Sequence, residues 1–447
     1  MNGCRWARGG VFVFLGLVLG AVVALGQDMN VSPRAMGMGG GNTAFSDDAT
    51  AIWSNPGGLG GQRTKLTVSW KTFTHYEFDF TDTGASDDLS TVILRNRVGM
   101  TEPIAIPAYF GFVMPISEHF TLGIAHVRPF DLKYSMRFRD PFVDADGAGP
   151  GTAGAEFLRE YEQRSSRFRA ALGFRCDFRE EGFLSFLGLG VGGDFTYTTL
   201  QVDDFLRGNA GPPLVPQDGR PTQSTDDSAL GLGAGAGILL GVYQSPSFAI
   251  DLGGNYNSDS RYEEFIFSEF TFDRAFMPAI HWPQSYSAGM TISLFENWPV
   301  KITGEVNWSE WGKAAPAPES ITVVGKTGPV TSTPLNTESF RTAVSYSGGM
   351  EYRMRCTWFG GENVWLLPRV GYRHQEAPWG EDRVQAASLG INTLILNSNG
   401  PSWNIATCGL GIEFHGDDVG SPLRRIDLAA EVGGDDLNFS IGYTHDW

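Results

Sequence analysis

The residues that come closest to a chemical arrangement are two adjacent carboxylates, Asp47 and Asp48, which follow the first apolar run of the chain. Paired carboxylates can bind a metal ion or exchange a proton with a substrate. Adjacent aspartates at the start of a short helix more often cap that helix and favour its dipole. We therefore predict that Ser46 or Asp47 caps a helix over Ala49–Trp53 and that Pro56 ends it.

Other catalytic patterns are missing from the sequence. The glycine run Gly37–Gly41 lacks the third spaced glycine and the preceding strand of a dinucleotide-binding loop. No GxSxG or HExxH motif occurs, and the seven histidines show no ligand spacing. Cys176, Cys356 and Cys408 are far apart and are interpreted as small apolar strand residues. The sequence thus predicts a protein that is not an enzyme and has no catalytic residues, no metal site and no cofactor.

The N-terminus has the layout of an export signal. Arg5 and Arg8 precede an apolar run over Val11–Leu25, and small residues then lead to Gln27. A run of about 15 apolar residues suits a secretory signal peptide, whereas a membrane-spanning helix needs about 20. We predict that residues 1–26 are a cleaved signal peptide, with an uncleaved anchor as the alternative.

Composition and charge exclude several classes of protein. The net charge of −17 argues against binding of nucleic acid, which requires a basic face. Behind the signal, no run of 18 or more apolar residues remains, and transmembrane helices are therefore excluded. The 58 glycines disfavour long helices, and aromatic residues make up 13% of the chain. These features predict an all-β fold.

Long stretches of the chain alternate between apolar and polar residues with a period of two, as β-strands do. Over 167–179 one face is apolar and ends in Phe178, whereas the opposite face carries four arginines. Strands of about ten residues, with an apolar face for lipid and a mixed-charge face for a lumen, suit a transmembrane barrel. The same alternation recurs over 300–308, 340–352, 368–374 and 426–432. We predict a transmembrane antiparallel β-barrel with loops at 139–163, 201–227, 313–338 and 380–400.

The C-terminal strand carries a second specific signal. Phe439, Ile441 and Tyr443 alternate with small or polar residues, and the chain ends on Trp447. This pattern resembles the terminal strand that the bacterial barrel assembly machinery reads, and we predict that machinery as a partner. A soluble edge strand of this length and aromatic content would invite aggregation.

Three short motifs follow one another in residues 32–60. They are a glycine-rich stretch that starts at Met36, the triplet Asp47–Ala49 and the run Asn55–Leu59. In this order they resemble the N-terminus of the FadL/TodX family of outer-membrane transporters for hydrophobic compounds, although Gly57 stands where that family usually has alanine. Residues 282–290, 301–311 and 367–378 are similar to later strands of the family.

The resemblance implies a monomeric barrel of about fourteen strands over 63–447, with long extracellular loops and residues 27–62 folded into the lumen as a hatch. Such a protein lies in the outer membrane of a Gram-negative-type bacterium. It admits small hydrophobic molecules, such as long-chain fatty acids or aromatic hydrocarbons, by passive diffusion and releases them laterally into the membrane. A hydrophobic ligand and outer-membrane lipid are then its partners. Glycines in strands mark kinks, so Gly188–Gly193 is the predicted lateral opening.

The hatch contains the predicted functional residues. Its motif consists of Gly37, Gly39, Gly40, Asp47, Asp48, Asn55 and Pro56. Four apolar residues could line the floor of a ligand pocket or simply pack the hatch on the wall: Met36, Met38, Phe45 and Trp53. Strand arginines such as Arg167, Arg169 and Arg369 could bind a ligand carboxylate, but paired lumenal charges are the more frequent arrangement.

Two other functions fit the same sequence. PorV-type barrels, which serve protein secretion, share much of the N-terminal motif. A structural or adhesive barrel would act through its loops. Neither alternative changes the predicted fold, because all three functions use an outer-membrane β-barrel.

Overall fold

The computed structural model describes seventeen stretches of the chain. They are residues 32–72, 78–79, 95–96, 108–140, 155–207, 223–260, 265–269, 272–277, 283–295, 299–310, 320–325, 331–334, 342–356, 364–376, 402–415, 423–433 and 436–447. The predicted signal peptide and the predicted loop 380–400 lie outside the described residues.

The described strands form a closed antiparallel barrel of fourteen strands, in which each strand pairs with its neighbours in chain order. The first and last strands close the barrel, with Lys65 opposite Asp446 and Thr72 opposite Phe439. The strands are β1 Lys65–Thr72, β2 Tyr109–Pro115, β3 Phe120–Asp140, β4 Ala155–Asp177, β5 Gly182–Arg207, β6 Gln223–Gln244, β7 Phe248–Asn257, β8 Ser285–Leu294, β9 Val300–Glu310, β10 Thr342–Tyr352, β11 Val364–Glu376, β12 Ser402–Phe414, β13 Leu423–Gly433 and β14 Asp436–Asp446.

Smaller elements accompany the barrel. Helices α1 (Pro33–Met36) and α2 (Ala51–Ser54) and the 3₁₀ helix Pro56–Gly58 precede β1. None of the helices in the described residues is long and apolar enough to cross a bilayer. The short strands are Phe78–Asp79 paired with Arg95–Asn96, Met354–Cys356 beside β11, and a four-stranded sheet of Phe265–Glu269, Phe272–Met277, Ser320–Gly325 and Thr331–Pro334.

The two faces of the barrel wall have opposite polarity. Apolar and aromatic side chains point outward and stay exposed, among them Phe168 at 48%, Tyr372 at 50% and Ile441 at 47%. Inward positions of the same wall are polar and buried, and Arg167 and Arg369 are both 0% exposed. A soluble protein buries its apolar face, so this inverted arrangement requires lipid around the barrel. The predicted transmembrane barrel is confirmed.

Four adjacent strands are much longer than a bilayer requires. Strands β3, β4, β5 and β6 contain 21, 23, 26 and 22 residues, whereas a tilted strand crosses a membrane with about 9–11. Their extra length falls in 155–163, 201–207 and 223–227, which the sequence predicted as loops. This part of the prediction is wrong. Strands that extend beyond the membrane contact water as loops do, so both have a polar composition and composition does not distinguish them.

The two ends of the barrel differ in the length of their connections. One end has several short connections, among them 116–119, 178–181, 245–247 and 295–299. At the opposite end 434–435 is short, but other connections are long, among them 141–154, 208–222 and 377–401. Short turns of outer-membrane barrels face the periplasm, so in such a membrane the end with Lys65 and Asp446 would be the periplasmic one.

The C-terminal strand β14 completes the wall. It pairs with β13 on one edge and with β1 on the other. Phe439, Ile441 and Trp447 point outward and are 47–53% exposed, and Tyr443 lies between them in the alternation. Their position is the one that an assembly signal needs, and that role stays a prediction.

The wall is continuous where the sequence predicted an opening. Strand β5 pairs residue by residue with β4 and β6 throughout Gly188–Gly193, so the prediction of an opening there is wrong. Register shifts occur elsewhere in the described wall: between Phe183 and Phe186 where β5 meets β6, between Gly241 and Tyr243 where β6 meets β7, and on β3, whose register with β4 shifts between Val127 and Phe130. The shift on β3 contains a proline: Arg128 and Pro129 form this bulge, and a proline cannot donate a hydrogen bond to the ladder.

Candidate functional site

Residues 32–62 form a lumenal segment that spans the interior of the barrel. On β2, the hydroxyl of Tyr109 donates a hydrogen bond to the carbonyl of Ala49 at 2.6 Å. On β9, the carboxylate of Glu305 accepts a hydrogen bond from the amide of Asn42 at 2.8 Å. These two strands lie on opposite sides of the fourteen-stranded barrel, so the segment reaches across its full width.

Local hydrogen bonds fold the lumenal segment into short helical turns. Ser32 accepts a hydrogen bond from the amide of Ala35 at 3.3 Å and caps α1, whose first residue is a proline. Asn55 accepts one from the amide of Gly57 at 3.0 Å and caps the 3₁₀ helix Pro56–Gly58. The Asn-Pro-Gly motif therefore shapes the segment itself.

The aspartate pair does not cap a helix. Helix α2 begins at Ala51, and its N-cap residue Thr50 makes no side-chain capping bond. Asp48 accepts a hydrogen bond from the amide of Thr50 at 2.9 Å, and the hydroxyl of Ser46 donates to a backbone carbonyl. The prediction that Ser46 or Asp47 caps this helix is wrong, because cations bind both aspartates instead.

Both aspartates fasten the lumenal segment to the barrel. Asp47 pairs with Arg34 at 2.5 Å and with Lys301 of β9 at 3.0 Å, and Asp48 pairs with Arg425 of β13 at 2.8 Å. Burial alone would raise the pKa of Asp47, but the positive charges of Arg34 and Lys301 hold it well below its usual range. Asp47 thus stays ionised at neutral and mildly acidic pH.

Arg34 connects the segment to a second set of wall charges. Its Nε and Nη2 donate to the two carboxylate oxygens of Glu351 on β10 at 2.9 and 2.8 Å. Arg369 on β11 also binds Glu351, at 2.7 Å, and pairs with Asp427 on β13 at 2.7 Å. All four side chains are at most 5% exposed. Charged, bidentate hydrogen bonds out of contact with water are strong and directional, so this network fixes the position of α1.

Apolar packing holds the other side of the segment. Residues in and near α2 pack against inward-facing side chains of β2, β3 and β4. Together they form one buried cluster: Ala49, Ala51, Ile52, Trp53, Leu59, Tyr109, Val113, Ala125, Val127 and Ala171. The lumenal segment is therefore attached by hydrophobic contacts near β2–β4 and by ion pairs near β9–β13.

Glycines of the wall let the backbone of the segment touch the strands. A Cβ atom at Gly190 of β5 would overlap the carbonyl of Pro56, and one at Gly349 of β10 would overlap the carbonyl of Met38. Gly253 of β7 meets the segment in the same way. These strand glycines form a close-fitting seat for the segment, and Gly190 belongs to the stretch Gly188–Gly193 for which a kink was predicted.

Gly190→Ala is expected to unseat the lumenal segment, because the new methyl group has no room beside Pro56 and overpacking costs about 1–3 kcal/mol. Gly193→Ala on the same strand is the matched control, since a Cβ there meets no described atom within 4 Å. A cysteine placed at the fully buried Ala51 reports unseating by its rate of maleimide labelling. We expect labelling to be about tenfold faster with Gly190→Ala and unchanged with Gly193→Ala. Equal rates in the two variants would contradict the role of the seat.

The four predicted ligand-binding residues are all buried: Met36 and Met38 at 0%, Phe45 at 4% and Trp53 at 3% exposure. Cations cover both aromatic rings. The guanidinium of Arg34 lies 4.1 Å from the ring centroid of Phe45, and that of Arg169 lies 4.5 Å from the ring centroid of Trp53. A ligand can reach these surfaces only when the segment moves, and their role in binding stays a prediction.

Alternation alone assigned no role to the wall residues that hold the segment. They are Lys301, Glu305, Glu351, Arg425 and Asp427. All five are charged residues at inward positions of strands, and that signal was available in the sequence. Their partners were not, because alternation gives the face on which a charge lies and not the residue that it meets.

Comparison with known proteins finds solved structures that are similar to this barrel. No family model and no curated protein matches the sequence. The toluene transporter TbuX of Ralstonia pickettii superposes with a TM-score of 0.54 at 14% identity, over 93% of this chain and 98% of TbuX. A FadL homologue of Pseudomonas aeruginosa gives 0.51 at 14% identity, over 96% and 99% of the two chains. The toluene transporter TodX of Pseudomonas putida gives 0.51 at 14% identity, over 95% and 98%.

The fold and the lumen define a class of protein: a fourteen-stranded transmembrane barrel whose interior holds an N-terminal segment. Within that class, the chain has the fold of the FadL/TodX family, as its N-terminal motif predicted. TbuX and TodX are transporters by name and not enzymes, which agrees with the lack of a catalytic motif in this sequence.

Proposed function

We propose that this protein is a monomeric outer-membrane channel for passive uptake of small hydrophobic molecules and that the lumenal segment is its hatch. One observation carries the proposal: the segment spans the barrel but is fastened on one side by ion pairs, and hydration of the separated charges offsets part of the loss of these pairs when the segment moves. Export by a signal peptide over residues 1–26 and insertion into the outer membrane of a Gram-negative-type bacterium belong to the same proposal.

The proposed cargo is a long-chain fatty acid or an aromatic hydrocarbon. Two solved structures of the same fold are toluene transporters by name. The apolar residues of the docked segment are buried, by packing on one side and beside ion pairs on the other, so a hydrophobic molecule needs the segment to shift before it meets them. Met36, Met38, Phe45 and Trp53 are the apolar surfaces that such a shift would uncover.

Lateral release is proposed to take place at the bulge of β3. There the register with β4 shifts between Val127 and Phe130, and Pro129 offers no N–H to the ladder. The described pairing of β3 with β2 ends near the same point, where Tyr109 lies opposite Val127. The ion pairs of the segment with Lys301 and Arg425 lie near the starts of β9 and β13, at the end of the barrel that carries Asp446. A hydrophobic molecule that leaves through the bulge enters lipid without passing them.

A reversible disulfide between the segment and the wall tests the proposal. The hydroxyls of Thr43 and Ser287 on β8 lie 2.8 Å apart, close enough for a disulfide between Thr43→Cys and Ser287→Cys once the native cysteines are replaced by alanine. Ser165 and Thr198, on β4 and β5, also have hydroxyls 2.8 Å apart and supply the control disulfide within the wall. Uptake of oleate and of toluene into proteoliposomes is measured before and after reduction.

We expect the oxidised Thr43–Ser287 pair to lower uptake at least about tenfold and reduction to restore it, because a covalent bond prevents the hatch from moving. The control disulfide should leave uptake unchanged. Equal uptake with the hatch locked and unlocked would mean that the segment is a fixed floor and that the gating part of the proposal is wrong.

A second candidate function is favoured by the four long strands. Strands β3–β6 continue well beyond a bilayer's thickness and offer an extracellular sheet to another protein, as a PorV-type secretion partner or an adhesive barrel would. In that case proteoliposomes would take up oleate and toluene no faster than protein-free vesicles, whether the hatch is locked or free.

A further inference from the structure

Two arginines of the wall lie against the indole ring of Trp53. The guanidinium carbon of Arg167 is 4.8 Å from the ring centroid and that of Arg169 is 4.5 Å from it. Both arginines belong to β4, two residues apart, and therefore point to the same side of the strand. Their exposure is 0% and 2%, so the contact is shielded from water. A cation attracts an aromatic face most strongly when water is excluded.

The wall itself holds this pair of guanidinium groups in place. Arg169 donates from Nε and Nη2 to the two carboxylate oxygens of Asp194 on β5, at 2.5 and 2.8 Å. The Nη2 atom of Arg169 also donates to Asn257 on β7 at 2.7 Å, and Arg167 donates to the same Asp194. The Nη1 atom of Arg169 also donates to the carbonyl of Trp53 at 3.2 Å, a bond that is lost when the segment moves. The bonds to Asp194 and Asn257 connect wall to wall, so they keep the two guanidinium groups anchored when the segment carries Trp53 away.

We propose that Arg167 and Arg169 form a binding site for a planar aromatic ring and that Trp53 occupies this site as an internal ligand while the segment is docked. The inference rests on the proposed function, in which the segment moves. An aromatic molecule in the lumen then replaces the indole and stabilises the undocked segment, so that cargo itself favours the open state.

The chemistry of the site selects against other hydrophobic molecules. A saturated hydrocarbon has no π-electrons to interact with the guanidinium groups and would only remove water from them. A carboxylate would compete with Asp194, which already binds both arginines through their N–H groups. The guanidinium faces, by contrast, are available to a stacked ring, and arginine stacks on aromatic faces readily.

Naphthalene and decahydronaphthalene test the site, because they share a carbon skeleton of about the size of indole and differ in aromaticity. In proteoliposomes we expect Trp53→Leu to lower the half-saturating concentration for naphthalene about fivefold relative to that for decahydronaphthalene, since the internal competitor for an aromatic ring is gone. Saturation-transfer NMR on the solubilised Trp53→Leu protein measures naphthalene binding independently of transport.

Neutral variants separate the site from the general effect of removing charges. The triple variant Arg167→Met, Arg169→Met and Asp194→Leu should abolish the preference for naphthalene. The matched control replaces another carboxylate shared by two cations of the wall: Lys71→Met, Arg373→Met and Glu431→Leu. We expect this control to keep the preference of the wild type.

Two results would overturn the inference. One is an unchanged ratio of naphthalene to decahydronaphthalene uptake in the arginine variant. The other is an absence of naphthalene saturation transfer in Trp53→Leu, which rejects the site whether or not the protein transports. Naphthalene binding that depends on both arginines, without uptake above protein-free vesicles, would uphold the site and reject the proposed transport function instead.

Discussion

Deletion of residues 32–62 is expected to turn the barrel into an open, water-filled pore. An eight-stranded barrel is just wide enough for its own side chains to fill, and barrels of sixteen or more strands leave an aqueous channel. With fourteen strands, this wall needs additional material to close it, and the lumenal segment reaches from β2 to β9 across the gap. The inward faces are polar, so water would solvate them readily once the segment is gone.

Conductance in planar bilayers and swelling of liposomes in arabinose measure this effect. The full chain should be nearly silent, and the deletion variant should conduct ions and admit the sugar at rates typical of porins. Circular dichroism, and the difference in electrophoretic migration between heated and unheated samples, verify that the variant still forms a barrel. A folded deletion variant that stays silent would show that the wall closes by itself. Leak with intact hydrophobic uptake would make the segment a simple stopper, and loss of both closure and uptake would make it part of the path.

Most of the barrel could be predicted from the sequence because a strand in a membrane has only two environments. Lipid selects one face and the lumen the other, so alternation assigns Phe168 outward and Arg167 inward without knowledge of any neighbour. The N-terminal motif predicted that a segment of the chain lies inside the barrel. The strand extensions of β4 and β5 were missed, because outside the membrane both faces meet water and the alternation that marks a strand is lost.

The contacts of the hatch could not be predicted, because they join residues that are far apart in sequence. Arg34 and Glu351 are separated by 317 positions, and Asp48 and Arg425 by 377. The preference of aspartate for helix N-caps therefore predicted a cap at this position. This preference is overridden when a cation of the wall offers a stronger partner. Closure of the barrel decides which strand faces which part of the segment, and a sequence pattern does not contain that information.

Glu351→Ala is expected to release the hatch. In the folded protein its carboxylate lies between Arg34 of the segment and Arg369 of the wall, with 4% of the side chain exposed. Removal of one member of a buried ion pair leaves the other charge without compensation and destabilises by about 3–5 kcal/mol. The undocked state avoids most of this penalty, because Arg34 is then solvated. Even 3 kcal/mol corresponds to about a 150-fold larger undocked population.

Glu431→Ala separates the release of the hatch from a general weakening of the barrel. Glu431 is equally buried and also binds two cations, Lys71 and Arg373, at 3.2 Å each, but all three residues belong to the wall. We therefore expect arabinose leak and fast labelling of a cysteine at Ala51 with Glu351→Ala and neither with Glu431→Ala. Equal leak from both variants would attribute the effect to distortion of the wall.

The double variant Arg34→Met with Glu351→Leu decides whether docking at position 351 needs charge or only contact, since Asp47 keeps Lys301 and Asp48 keeps Arg425 as partners. Well-packed apolar residues often replace a buried ion pair without loss of stability, and Arg369 keeps Asp427 as a partner at 2.7 Å. Closure should therefore return in the double variant. When the hatch opens, the apolar side chains gain no hydration, unlike the charged groups of the ion pair. The restored hatch should therefore open less often. Uptake of toluene should fall below that of the wild type while the leak stays low. A closed hatch with normal uptake would show that the ion pair contributes to docking and not to the ease of opening.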